Sequence, residues 1–154
     1  MIYADFEDAI LAALEPLKGT TIGVKTLDTY GGEFSADSFG QFPINYPAVF
    51  VCVSAINSEP ANTEDRRELT LDVYAAATDL RGEKSARRGA LGSVGAYAVI
   101  EAVRGALNRL IIPGAGRVQL RREYLMGYSK AAGLCVIQAE YSLKYNQSIA
   151  AERS

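Results

Sequence analysis

Apolar and polar side chains alternate along residues 67–77, which read RELTLDVYAAA. One set of alternate positions is largely apolar and comprises Arg67, Leu69, Leu71, Val73, Ala75 and Ala77. A period of two is typical of a strand with one buried face. A second alternating run from Leu134 to Tyr145 places Cys135, Ile137, Ala139 and Tyr141 on one side. We expect these four residues to be buried together with Leu69, Leu71 and Val73.

After Asp79 the apolar spacing changes from two residues to the 3.6 residues of a helix. The residues that share the new face are Gly92, Ala96, Val99, Val103, Leu107 and Leu110. This spacing predicts the longest helix of the chain, with Gly89, Gly92 and Gly95 in its first turns and a charged loop from Arg81 to Arg88 before it. Each glycine costs a helix about 1 kcal/mol relative to alanine, so close packing should offset that cost. The packing partner is either this chain or a neighbouring subunit.

The remaining elements follow from apolar runs and turn residues. A first helix is predicted from Tyr3 to about Leu17, and a strand from Thr21 to about Tyr30. Gly31 and Gly32 predict a hairpin turn onto Glu33 and Phe34. The apolar run of residues 47–56 predicts a central strand covered on both faces, between loops at residues 35–46 and 57–65. Residues 113–116 end the long helix, and the last predicted strands are 117–126 and 134–145.

Together these elements predict an α+β fold. Two helices pack on a sheet of about five mostly antiparallel strands, in two layers. A crossover from the 67–77 strand through the long helix would make the sheet mixed instead. The length of 154 residues fits one domain. We expect that domain to span residues 1–145, followed by a polar tail over residues 146–154.

The sequence carries its charge unevenly. Residues 1–64 hold nine acids and two bases, a net charge of −7, and residues 65–154 hold nine acids and fourteen bases, a net charge of +5. Such asymmetry arises by chance on many surfaces. It also suits a protein in which one side of each copy contacts the opposite side of the next copy.

Several functional classes have little support in the residues. The chain has no histidine, which excludes Ser-His-Asp and Cys-His arrangements. Its glycines match neither the dinucleotide-binding nor the P-loop pattern. The two cysteines, Cys52 and Cys135, lie in apolar runs and are predicted to be buried thiols. We therefore expect no enzyme activity, no cofactor, no metal site and no membrane partner.

Short motifs around the charged loop give a resemblance to a known family. They are Thr78-Asp79-Leu80, Arg81-Gly82-Glu83, Arg88-Gly89 and Gly95-Ala96-Tyr97. With them the chain, from the first helix to about Tyr145, resembles the small tail-completion proteins of Mu-like phages and prophages, which are similar to tail terminators. The resemblance implies a homo-hexameric ring that caps the tail tube, stops its polymerisation and offers a joining surface to the head–neck connector proteins. It also implies a place in the virion tail or neck, assembly in the bacterial host cytoplasm, and genome DNA passing through the lumen without sequence-specific binding.

The charged loop is the predicted contact site. Its subunit-interface candidates are Arg81, Glu83, Lys84, Arg87, Arg88 and Gly89. A charge run is usually a solvated loop, but this one joins two rigid elements and has an acidic half of the chain as a complement. The alternative function is a small nucleic-acid-binding protein that uses the same basic loop from Arg81 to Arg88.

Overall fold

The computed structural model describes residues 3–35, 39, 44–60 and 64–148, with side chains to residue 146. Helix α1 spans Tyr3–Leu14 and continues into a short 3-10 helix, Glu15–Gly19. Helix α2 spans Glu83–Arg88 and helix α3 spans Ala96–Leu107. The strands are β1 Thr26–Thr29, β2 Ala48–Pro60, β3 Glu64–Thr78, β4 Ile111–Ile112, β5 Gly116–Ser129 and β6 Leu134–Ser148. Among the described residues no helix is long and apolar enough to cross a membrane.

One six-stranded sheet has the order β1-β2-β3-β6-β5-β4. All neighbouring strands are antiparallel except β1, which runs parallel to β2. The α+β prediction is therefore confirmed, although the described residues form six strands and three α-helices where about five strands and two helices were expected. The parallel pair that makes the sheet mixed is β1–β2, not the predicted crossover, because β3 and β5 each pair with β6.

The main core lies between the helices and the sheet. It contains all seven residues of the predicted set: Leu69, Leu71, Val73, Cys135, Ile137, Ala139 and Tyr141. The register explains this, since Leu71 faces Tyr141 and Val73 faces Ala139 across β3 and β6. Phe6, Ile10 and Leu14 bring α1 into the same core.

A second apolar cluster lies on the opposite face of the sheet. Its buried members are Phe34, Ala48, Phe50, Tyr74, Ala76, Leu134 and Val136. Tyr30 stacks on Tyr74, with ring centroids 4.0 Å apart and an interplanar angle of 20°. The cluster explains why Tyr74 and Ala76 are buried although they occupy the mainly polar side of the alternating β3 pattern.

The predicted hairpin at Gly31 and Gly32 is wrong. Strand β1 is limited to Thr26–Thr29 and pairs in parallel with β2, where Leu27 faces Val49. The chain then turns at Gly32, with Ser35 N–H donating to the Gly32 carbonyl at 3.1 Å, and this turn delivers Phe34 into the second cluster. Phe34 is therefore buried in the second cluster and does not belong to the strand of the predicted hairpin.

The predicted polar loop at residues 57–65 is also wrong over most of its length. Residues 57–60 and 64–65 extend β2 and β3, with Asn57 opposite Glu68 and Pro60 opposite Asp65. Ladder hydrogen bonds hold these polar residues in strands although they bury no apolar face. Strand β6 likewise continues to Ser148, three residues past its predicted end. The predicted tail after that point, and most of the predicted 35–46 loop, lie outside the described residues.

Candidate assembly surface

The segment predicted as a charged loop before one long helix contains a separate helix. Leu80 and Arg81 form a turn, Glu83–Arg88 form α2, and α3 begins only at Ala96. Gly89 and Gly92 have φ angles of +87° and +80°. A positive φ is incompatible with a right-handed helix, so the glycines separate α2 from α3. The predicted continuous helix is therefore wrong over residues 89–95.

The turn that precedes α2 is fixed by Asp79 at the end of β3. Its carboxylate accepts hydrogen bonds from the Arg81 side chain, with Nε 2.9 Å from Oδ1 and Nη2 2.6 Å from Oδ2. The Arg81 backbone N–H donates to Oδ1 at 3.0 Å. These bonds and the guanidinium charge hold the pKa of Asp79 well below its usual range. Asp79 is thus an ionised carboxylate whose side chain is only 6% exposed.

Two further segments are tied to Asp79 and Arg81. The Ser93 hydroxyl donates to Asp79 Oδ2 at 2.9 Å, and Arg81 Nη1 donates to the Leu91 carbonyl at 3.3 Å. On the other side, Asp79 N–H donates to the Gly133 carbonyl at 2.8 Å in the β5–β6 turn. We call Asp79, Arg81 and Ser93 the Asp79 network. It fixes the end of β3 relative to the residues that flank α2.

The predicted interface residues have different environments. Arg81 belongs to the Asp79 network, although half of its side chain is exposed. Arg87 is half-buried, 3.4 Å from Glu83 Oε1 and 5.8 Å from the Tyr97 ring centroid. Glu83, Lys84 and Arg88 are exposed on the outside of α2. Only Ala86 in this helix is buried, so most of α2 is surface.

Gly89 has an internal packing role. A Cβ at Gly95 would lie 2.2 Å from the Gly89 amide nitrogen and 2.7 Å from the Arg87 carbonyl oxygen. A Cβ at Gly89 would meet the Gly95 nitrogen at 3.1 Å. The close packing expected of these glycines is therefore within this chain. Gly92 differs, because a Cβ there would meet open space.

Three exposed apolar side chains beside α2 were missed by the sequence analysis. Leu80 is 81% exposed, Leu91 is 97% exposed and Tyr97 is 43% exposed. The available signal was the recurrence of glycine at positions 89, 92 and 95, which weakens a helical pattern, but the helical spacing of the neighbouring apolar residues concealed it.

The described residues bring no set of metal-binding groups together. They contain no cluster of three or more Cys, Asp or Glu side chains that could hold a metal ion. Cys52 and Cys135 are free thiols, and burial raises the pKa of both, that of Cys135 to about 11. A cleft of about 500 Å³ lies at the far end of the sheet, lined by polar residues that include Asn57, Glu59, Arg66 and Lys144.

Comparison with known proteins identifies a family. No individually curated protein matches the sequence. A solved structure described as "Virion of native gene transfer agent (GTA) particle" contains a chain with 15% identity and a TM-score of 0.49, and the match covers 90% of this chain and 86% of that chain. The family model described as "Bacteriophage Mu, Gp37" matches residues 1–146. The resemblance to Mu-like phage proteins is thereby confirmed, and the chain belongs to the bacteriophage Mu Gp37 family.

Proposed function

We propose that the protein is a structural component of a phage virion and acts as a tail-terminator or tail-completion subunit. In this role six copies form a ring on the last ring of the tail tube, stop its polymerisation and present the head–neck joining surface. Membership of the Mu Gp37 family over residues 1–146 supports a phage structural role. The role requires neither a catalytic centre nor a cofactor.

The observation that carries the proposal is that helix α2 is largely exposed, while hydrogen bonds fix the turn that precedes it. Glu83, Lys84 and Arg88 are exposed, and the fold uses little of this helix for its own core. The Asp79 network holds the base of α2 through several charge-assisted hydrogen bonds, which are stronger than neutral ones. A preorganised surface loses little conformational entropy when it binds a partner. Such a surface suits repeated contact between identical subunits.

The proposed partners follow from the position of the ring between the tail tube and the head of the virion. One side of the ring meets the tail tube protein and the other meets the head–neck connector proteins. Genome DNA passes through the lumen without sequence-specific contacts. Assembly takes place in the cytoplasm of the bacterial host, and the finished ring resides in the tail or neck of the virion.

The alternative, nucleic-acid binding through residues 81–88, loses support from the geometry. Arg81 is neutralised by Asp79, and Arg87 is paired with Glu83. Within the described residues Lys84 and Arg88 are left without an ion pair. Two phosphate contacts give a slope of only about −2 in log affinity against log salt concentration. A much steeper slope in a DNA-binding titration would favour the alternative.

Tail length in the phage that encodes the protein tests the proposal. Deleting the gene should yield overlong tubes or tails that do not join to heads, because nothing stops tube growth or completes the joint. Supplying the intact gene in trans should restore joined tails of uniform length. Normal joined tails in the deletion strain would contradict a terminator role.

A further inference from the structure

The residues between α2 and α3 form a tight turn that displays one leucine. Ser93 N–H donates to the Ala90 carbonyl at 3.0 Å, and Ala90 N–H donates to the Ser93 carbonyl at 3.4 Å. Leu91 and Gly92 occupy the two central positions, and the positive φ of Gly92 suits the second of these in a type II turn. The turn needs its glycine but makes no use of the Leu91 side chain, which is 97% exposed.

A second leucine projects from the same framework. Leu80 lies between Asp79 and Arg81, and 81% of it is exposed. Arg81 connects the two leucine sites, because it follows Leu80 in the chain and donates to the Leu91 carbonyl at 3.3 Å. The Asp79 network therefore holds both backbone segments in place. Burying an exposed leucine side chain against an apolar partner is favourable, so two exposed leucines on a fixed backbone are a potential contact.

The exposed charges on α2 are mainly basic. This helix exposes Lys84 and Arg88 together with one acid, Glu83, which is paired with Arg87, and Arg88 directly precedes the segment that carries Leu91. The complementary surface in this chain, called here the acidic α1 surface, combines the outer side of α1 with the first residue of the following 3-10 helix. On α1, Asp8 is exposed and Tyr3 is 55% exposed, and Glu15 of the 3-10 helix is exposed and lies 3.1 Å from Lys18. Helix α1 packs on β1, β2 and α3, whereas α2 packs on β3, β6 and α3. The two surfaces lie on different helices, so a contact between them can form between two copies.

We propose that Leu80 and Leu91 are the apolar centre of a head-to-tail contact in which one copy binds the acidic α1 surface of the next copy. Lys84 and Arg88 form the charged rim and face Asp8 and Glu15 of the neighbour. Contacts of this heterologous kind close into rings when the rotation between copies permits. The inference rests on the proposed ring and adds which residues make its subunit contact.

Replacing the leucines tests the apolar centre. We expect the double variant Leu80→Ser and Leu91→Ser to keep its secondary structure and to remain folded as a monomer, because neither side chain belongs to the core. Its subunit dissociation constant, measured by sedimentation equilibrium, should rise at least 100-fold. The matched control is Ile111→Ser, which removes a 63% exposed apolar side chain from β4 and should change the constant less than threefold.

A charge exchange tests which surface the leucines meet. Variant A carries Lys84→Glu and Arg88→Glu, and variant B carries Asp8→Lys and Glu15→Lys. Each alone should fail to assemble, because like charges then face each other. An equimolar mixture should assemble again, since every contact in an alternating ring regains opposite charges.

The outcomes separate this inference from the proposed function. If wild-type rings form and the leucine variant or the separate charge variants form them equally well, this contact is wrong and the terminator role stands. Failure of the mixture of A and B to assemble would overturn the assignment of α1 as the partner surface. A wild-type protein that stays monomeric at all concentrations would contradict the proposed ring, and this contact with it.

Discussion

Gly95 packs against Gly89 so closely that a Cβ at Gly95 would lie 2.2 Å from the Gly89 amide nitrogen. The atoms in the way are backbone atoms, which cannot rotate aside as a flexible side chain can. This contact sets the end of α2 against the start of α3. It therefore fixes the position of the helix that carries Lys84 and Arg88.

We predict that Gly95→Ala destabilises the protein by about 1–3 kcal/mol, the usual cost of overpacking. Gly105→Ala is the matched control, since Gly105 lies in α3, is exposed and has nothing near its Cβ position. That control should stabilise the protein by about 0.5–1 kcal/mol through helix propensity. Urea unfolding of the three proteins measures both effects, and equal stability of Gly95→Ala and wild type would refute the close contact.

The Asp79 network predicts an acid-sensitive contribution to stability. The pKa of Asp79 is lowered in the folded state, whereas an unfolded aspartate titrates near 3.9. The unfolded chain therefore takes up the proton first as pH falls, and the stabilisation present above about pH 4 is lost progressively below it. Asp79→Asn should be less stable than wild type at pH 7, and the difference should shrink below pH 4. A difference that stays constant from pH 7 to pH 3 would contradict the ionised carboxylate.

Tyr141 carries a buried hydroxyl that has no hydrogen-bond partner among the described residues. Burial raises its pKa, and its side chain lies in the main core. We predict that Tyr141→Phe leaves the free energy of unfolding unchanged or raises it by about 1–2 kcal/mol, because an unpaired polar group is removed. The comparison variant is Tyr30→Phe, which should lose stability since the Tyr30 hydroxyl accepts a hydrogen bond from Phe34 N–H at 3.2 Å.

The cysteines should prove structural, and Cys135 should be unreactive in the folded protein. Cys135 is fully buried with a pKa of about 11, so at pH 8 native protein should react with a thiol reagent at Cys135 only as fast as it unfolds. Half-buried Cys52 should react faster. Replacing both by alanine should cost stability through lost packing and leave ring formation intact. Loss of assembly in a folded double variant would reveal a role for a thiol.

The sequence predicted those parts of the fold in which one buried face determines the pattern. Strands β3 and β6 alternate because the helices cover one side of the sheet, and their core residues were found correctly. The polar end of β2 and the polar start of β3 were not predicted as strands. Ladder hydrogen bonds hold polar residues such as Asn57 and Asp65 there without apolar burial, so the sequence has no apolar alternation at these positions. The parallel β1–β2 pairing depends on contacts between segments about twenty residues apart, which periodicity does not report.

The candidate site was predicted in part. Charge patterning identified residues 81–88, yet it treated all four basic residues alike. The structure distinguishes them through Asp79 and Glu83, which pair with Arg81 and Arg87. In the sequence, Leu91 is next to residues with a helical apolar pattern. Its position in a turn follows from the positive φ angles of Gly89 and Gly92 in the structure.

The proposed ring can be observed by electron microscopy of the purified protein, with its mass measured in parallel by sedimentation. We expect closed rings of six copies with a central opening wide enough for double-stranded DNA. Exposed Lys84 and Arg88 should lie at the subunit contacts of those rings. A protein that remains monomeric at every concentration tested, or that forms only two-fold dimers without an opening, would rule out the terminator ring.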